Sequence, residues 1–210
     1  MDIKILGTGG LAKELIGYIE GESNPRFNIV GCWADEDFNN SAFSHLYRGD
    51  TAHFIRNLSA KDNVIIAIAS PRVRKTLVSE LATADITFVT YIHPSCEISP
   101  YAKIGAGCIL APGVMVVGDA VLESHVFANT EVVIGHDSRV GSYTCIFPKV
   151  EICGDCNIGR ECVFGINSVV LPGNSMADGS KLDAFSVLRD STNAAALFSG
   201  NPAVPIKHYD

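Results

Sequence analysis

The chain has 210 residues, 47% of them apolar, and a formal net charge of −7. That apolar content supports a packed core and excludes a disordered chain, while the acidic balance argues against a nucleic-acid binder, which needs a basic face to displace counterions from phosphates. No apolar run approaches the roughly 20 residues of a membrane helix, and Met1-Asp2-Ile3-Lys4 has none of the marks of a secretion signal, so a cytoplasmic protein with no membrane partner is expected.

Residues 1 to about 90 read as a small βαβ sheet. Ile3-Lys4-Ile5-Leu6 is a short apolar strand, followed by the glycine turn Gly7-Thr8-Gly9-Gly10. Leu11, Leu15, Ile16 and Ile19 mark one face of a helix that ends near Gly21. A second strand, Phe27 to Trp33, runs into Asp35-Glu36-Asp37. A third, Val64 to Ile68, leads to Ala69-Ser70-Pro71, where proline suits the first turn of a helix. A last strand, Ile86 to Val89, precedes a change of pattern.

Gly7-x-Gly9-x-x-Ala12, with Asp35 roughly twenty residues on, fits the dinucleotide fingerprint. A dinucleotide needs two mononucleotide halves, and only one is read before the pattern changes. A nucleotide-sugar diphosphate is expected instead. The glycine turn and the helix amino terminus suit its phosphates, and Asp35 and Glu36 can accept hydrogen bonds from its base or ribose.

From residue 91 the period is six. Stepping from Ile92 to Leu182 gives sixteen apolar positions, Ile104, Val116, Ile134, Ile152 and Phe164 among them. Four residues after each comes a second column, from Cys96 to Ser186, small or β-branched throughout except at Asn174. Six is incommensurate with a helix, and simple sheet alternation does not explain the small column. Large residues stacked inside a triangular coil of about eighteen residues satisfy both columns, predicting a parallel β-helix of about five coils. Glycine follows the large residue at 105, 135, 141, 159 and 165, where it is expected to permit the corners. Cys153-Gly-Asp-Cys156 has the look of a redox or metal pair. Cys96, Cys108, Cys156 and Cys162 all fall on the small column, however, where a thiol serves as a small hydrophobe. No second pair or spaced histidine completes a zinc site, so no metal is expected.

His136 is third in its hexapeptide and faces outward, where an imidazole can take up a proton at neutral pH. Asp137 can hold its ring. One coil further on, Gly154 lies above it and offers a backbone N–H to a developing oxyanion. His125, without an acidic follower, reads as a surface or subunit-interface residue.

A sugar-binding βαβ module ahead of a hexapeptide β-helix resembles the sialic acid O-acetyltransferase (NeuD) and PglD-like family. The resemblance is most specific at Asn129-Thr130-x-x-Val133-Ile134-Gly135-His136-Asp137, at Phe164 to Pro172 and at Gly200-Asn201-Pro202-Ala203. It implies a half-Rossmann domain over 1–90 and, over 91–210, a left-handed β-helix acetyltransferase domain with a carboxy-terminal tail. It also implies acetyl-CoA as co-substrate and a homotrimer with the CoA cleft between adjacent β-helices. The implied activity is N-acetylation of a nucleotide-linked, most naturally UDP-linked, 4-amino-4,6-dideoxy sugar for a surface polysaccharide or glycan. His136 is then the base and Asp137 its support. Sugar-nucleotide contacts fall on Gly9, Gly10, Leu11, Asp35, Glu36, Ala69 and Asn129, and acetyl-CoA contacts on Cys145, Ile166 and Ala184. The family carries histidine where this chain has Leu11, and Ala69, Cys145 and Ala184 are further substitutions. The alternatives are O-acetylation of a sialic-type sugar, a dTDP- or GDP-linked acceptor, and a non-catalytic nucleotide-sugar scaffold.

Overall fold

Ile3, Ile5 and Leu6 are all buried, which marks their strand as the centre of a sheet covered on both faces. In the computed structural model, which describes residues 1–39 and 41–209, that strand is β1 (Asp2–Leu6). The chain divides into two compact units, Met1–Thr90 and Tyr91–Asp210.

In the first unit β1 pairs in parallel with β2 (Asn28–Trp33) on one side and β4 (Asn63–Ile66) on the other. β3 (Tyr47–Gly49) and β5 (Thr87–Phe88) complete a five-stranded parallel sheet in the order β3-β2-β1-β4-β5. Helix α1 (Gly10–Gly21) buries Leu11, Ala12, Leu15, Ile16 and Ile19. Helix α2 (Thr51–Arg56) is capped by Asp50, whose carboxylate accepts from the His53 N–H at 2.5 Å. Helix α3 (Pro71–Glu80) has Ser70 as its cap and proline in its first turn, as expected. Trp33 and Phe54 lie 5.4 Å apart in the core that Leu6, Val64, Ile66, Leu77 and Leu81 share.

The sheet is therefore larger than the single βαβ half read from the sequence. A second half begins with β4 and α3 and stops after the two residues of β5. The strand order reverses between β1 and β4, the place where parallel α/β sheets take ligands at their carboxyl ends.

The second unit is the expected parallel β-helix. Among the described residues, seventeen two-residue strands run from Tyr91–Ile92 to Val187–Leu188. They form three parallel faces. The first runs from Tyr91–Ile92 to Lys181–Leu182, the second from Glu97–Ile98 to Val187–Leu188, and the third from Lys103–Ile104 to Ser175–Met176. Each strand pairs with the one a coil later, as in Val133↔Glu151 and Ile134↔Ile152. From Leu110 to Leu182 the large column is buried throughout. Removing one of these side chains to alanine costs about 2–5 kcal/mol. The tail strand Ala196–Gly200 extends the first face and turns back as Ala203–His208. Pro205 lies on that outer strand, which suits a residue without an N–H.

Two expectations about this wall need correction. The thiols of the small column do more than fill space: each donates to a carbonyl fifteen residues on, at the same corner of the next coil, in the manner of serine and threonine. Ser138 Oγ donates to Cys153 O (2.8 Å) and Thr144 Oγ1 to Gly159 O (3.0 Å), while Cys108 Sγ donates to Glu123 O (3.1 Å) and Cys162 Sγ to Ala177 O (3.3 Å). Nor do the glycines after the large residues turn the corners. The left-handed corners fall two residues later and are mostly occupied by Glu131, Asp137, Tyr143, Lys149, Asp155 and similar residues. Gly135, Gly141 and their counterparts instead permit close approach of successive coils: a Cβ on Gly135 would lie 2.5 Å from the Cys153 carbonyl carbon.

Candidate active site

His136 is positioned by its neighbours in the coil. Ile134 anchors the strand in the core, Gly135 donates to Ile152 O at 2.7 Å, and Asp137 turns the corner at φ 60°. The side chains of His136 and Asp137 are 64% and 58% exposed, so the pair faces outward from an open wall. His136 Nδ1 lies 2.6 Å from Asp137 Oδ2. A carboxylate only accepts, so it fixes the proton on Nδ1 and leaves Nε2 as the unprotonated, accepting nitrogen. A Cβ on Gly154 would lie 2.5 Å from Nε2 and 2.6 Å from Cε1, so the ring occupies space that only glycine leaves. The N–H groups of Cys153 and Asp155, on either side of Gly154, serve the ladder between coils.

Ile166 and Ala184 lie one coil apart on the corner between the first and second faces, linked by Phe185 N donating to Ile166 O at 2.9 Å. Ile166 is exposed and Ala184 half-buried. Asn129 follows a first-face strand at the same corner, largely buried, with Oδ1 accepting from Thr130 N at 2.7 Å. His136 follows a second-face strand, one side of the triangle away. A single chain therefore does not gather these residues into one cleft. Cys145, the third position expected to contact acetyl-CoA, is buried on the first face. His125, read as a surface or subunit-interface residue, is buried within the chain, with its ring stacked on Tyr143 at 5.3 Å.

The remaining positions collect at the carboxyl edge of the first unit's sheet. Gly9 caps α1, and a Cβ on Gly9 or Gly10 would meet open space. The Leu11 side chain is buried in the core, which leaves only its backbone for a phosphate. Asp35 is exposed and accepts from Thr51 N at 3.1 Å, and the Glu36 carbonyl accepts from Thr8 Oγ1 at 2.6 Å. Ala69 follows β4. Gly7 N donates to Trp33 O at 2.8 Å, and a Cβ on Gly7 would lie 2.5 Å from Ala67 O, so this glycine is required where the two loops meet.

Sequence reasoning missed Arg74. Its guanidinium donates to Ile68 O (2.5 Å) and Ala69 O (3.0 Å), and the residue is buried, so it holds the loop after β4 from below. An arginine on a helix is ordinarily read as solvated, and nothing in its spacing marks it otherwise. The strongest charged cluster on the β-helix wall is Glu123, which accepts from Ser142 Oγ (2.7 Å), Ser142 N (3.0 Å) and Arg139. The Ser142 hydroxyl, followed by its N–H and Arg139, outweighs burial and lowers the carboxyl's pKa. Burial pushes the Cys162 thiol up to about 12. Among the described residues, no group of three or more His, Cys, Asp or Glu could hold a metal ion, and no helix is long and apolar enough to cross a membrane.

A doubly wound parallel sheet followed by a parallel β-helix is also the fold of solved structures similar to this chain. Residues 2–81 match the family described as PglD N-terminal domain, so the resemblance read from the sequence holds for that unit. PerB from Caulobacter crescentus, solved with CoA and GDP-perosamine, has the same fold: TM-score 0.86, 24% identity, 98% of this chain and 97% of that one. So does the acetyltransferase domain of PglB from Neisseria gonorrhoeae, solved with acetyl coenzyme A, at TM-score 0.88, 22% identity and 98% of each chain. A UDP-3-O-acylglucosamine N-acyltransferase of Janthinobacterium is 35% identical over 104 residues, half of this chain and 29% of that protein. The chain thus spans less than a third of that relative's length.

Proposed function

We propose that the protein is an acetyl-CoA-dependent N-acetyltransferase acting on the 4-amino group of a nucleotide-linked sugar, with His136 as general base. The observation that carries this reading is the His136–Asp137 pair on the β-helix wall, 2.6 Å apart, with the imidazole seated against Gly154. Structural relatives of the same architecture are described with CoA, acetyl coenzyme A and GDP-perosamine, which supports both co-substrates.

Acetyl-CoA supplies the acyl group as a thioester. Ile166 and Ala184 offer an apolar strip on which its pantetheine can lie. Gly9 and Gly10, at the α1 amino terminus, receive the diphosphate of the acceptor, and Asp35 and Glu36 its ribose or base. His136 Nε2 takes the proton of the sugar amine as nitrogen attacks the thioester carbonyl. Asp137 stabilises the imidazolium. The Gly154 N–H donates to the carbonyl oxygen as charge builds there. The C–N bond forms, the C–S bond breaks, and His136 returns the proton to the departing sulfur. One exposed wall cannot enclose CoA, and the residues of the cleft lie on two different corners of the β-helix. A homotrimer that brings the second corner from a neighbouring copy completes the site.

The test is release of free CoA from acetyl-CoA with UDP-, GDP- and dTDP-linked 4-amino sugars. Wild-type protein releases CoA with one of these acceptors. His136→Ala abolishes release while retaining wild-type circular dichroism and binding of both co-substrates. Undiminished turnover in that variant would falsify the role of His136. Binding of nucleotide sugar without turnover by the wild type would favour a non-catalytic scaffold.

A further inference from the structure

The corners of the β-helix follow one hydrogen-bonding rule. Between residues 125 and 185 the left-handed corner residue donates its N–H to the carbonyl nineteen positions earlier. His125 N donates to Ala106 O (2.8 Å), Glu131 N to Pro112 O (3.0 Å), Asp155 N to His136 O (2.8 Å) and Phe185 N to Ile166 O (2.9 Å). Within this stretch Asp137 departs from the rule: its N–H goes to a side chain, Asp119 Oδ1, at 3.2 Å. Gly113, in the second coil, is served in a similar way by Ser95 Oγ at 3.0 Å.

The cause is visible one coil earlier. Left-handed backbone recurs every six residues at 107 and 113 and again from 125 onward, so 119 is the position due. The chain takes that conformation one residue early, at Gly118 (φ 62°). Other corners carry side chains at this φ, but here a Cβ would lie 2.7 Å from the Cβ of His136, so glycine is required. The early turn releases Asp119 from the corner, and its carboxylate reaches the Asp137 N–H.

We propose that Asp119, released by the early turn at Gly118, is a positioning residue for the His136–Asp137 pair. This rests on the reading of His136 as base. A charge-assisted bond to the Asp137 N–H fixes the backbone from which that carboxylate projects. The carboxylate in turn fixes the imidazole tautomer on which a base depends. The departure from the regular ladder falls at the corner that carries the exposed imidazole.

The experiment compares Asp119→Ala with Asp119→Asn in the full chain. The asparagine Oδ1 can accept the same bond, so it is the conservative rescue. Two quantities are read: kcat and KM for CoA release, and the neutral tautomer of His136 from long-range ¹H–¹⁵N NMR correlations, which needs no turnover. Asp119→Ala should lower kcat about tenfold to a hundredfold, as small misplacements of a base do, with KM for acetyl-CoA unchanged. Its imidazole should change from the Nδ1–H tautomer to a mixture. Asp119→Asn should retain wild-type kcat and tautomer. Wild-type kcat and an unaltered tautomer in Asp119→Ala would overturn the proposal, as would equal impairment of both variants. If the wild type shows no turnover yet the tautomer still depends on residue 119, positioning stands and the base assignment falls.

Discussion

Gly154→Ala separates the chemistry of the site from the stability of the wall. The backbone at Gly154 is not left-handed, so alanine is allowed there. Its methyl would lie 2.5 Å from His136 Nε2, whereas ordinary contact begins at 3.4 Å, so the ring must retreat by about 0.9 Å. The imidazole is the exposed end of a side chain, and its displacement costs the fold little. Catalysis is less tolerant. A shift of that size in the base, together with altered access to the Gly154 N–H, should lower kcat about 10²–10³-fold, or about 2.7–4 kcal/mol of barrier. Gly135→Ala is the contrast. Its methyl would strike the backbone of Cys153 and Gly154, both at 2.5 Å, so the coils themselves must part and the melting temperature should fall by several degrees. The assay is CoA release alongside thermal unfolding monitored by circular dichroism. Gly154→Ala with kcat within threefold of wild type, or unfolding as readily as Gly135→Ala, would refute the placement of the ring.

Two further outcomes follow from the ionisable groups. Glu123 is held below the ordinary carboxylate range by Ser142 and Arg139, so its stabilising effect is present above the unfolded value of about 4.3 and is lost as pH falls through its lower folded value. Glu123→Gln should therefore melt below the wild type at neutral pH, and the difference should close in acid; a gap that widens in acid contradicts this. Burial pushes the thiols of Cys32 and Cys162 up to about 12, so neither should react with a thiol reagent at pH about 8 until the protein unfolds. Mass spectrometry of the labelled native protein checks this, and early modification of either cysteine would show that its wall opens.

The β-helix was legible in the sequence because every coil buries the same two positions of six, so a single coil's pattern repeats until chance is excluded. The corners were misread because corner and close-approach positions share that period. Only the coordinates separate a residue that needs positive φ, such as Asp137, from one such as Gly135 that must stay bare for its neighbour's backbone. Outward positions also look alike on all three faces. Tyr91, Ile109, Phe127 and Cys145 form a buried first-face column, whereas Glu97, Met115 and Glu151 on the second face are exposed. A six-residue pattern carries no signal for that difference. In the first unit β3 and α2 span only three and six residues, too short for periodicity to declare them. The one-coil spacing of His136 and Gly154 is legible in the sequence; Arg74 and Asp119 bond to backbone groups, which sequence patterns do not display.

The most direct measurement is the fate of a ¹³C-labelled acetyl group. Wild-type protein, acetyl-CoA labelled at the carbonyl and a nucleotide-linked 4-amino sugar should give a product whose ¹³C shift and mass are those of an amide at carbon four, and the His136→Ala variant should give none. Label recovered as an ester on a sugar hydroxyl, or an amide formed equally well without the imidazole, would contradict it.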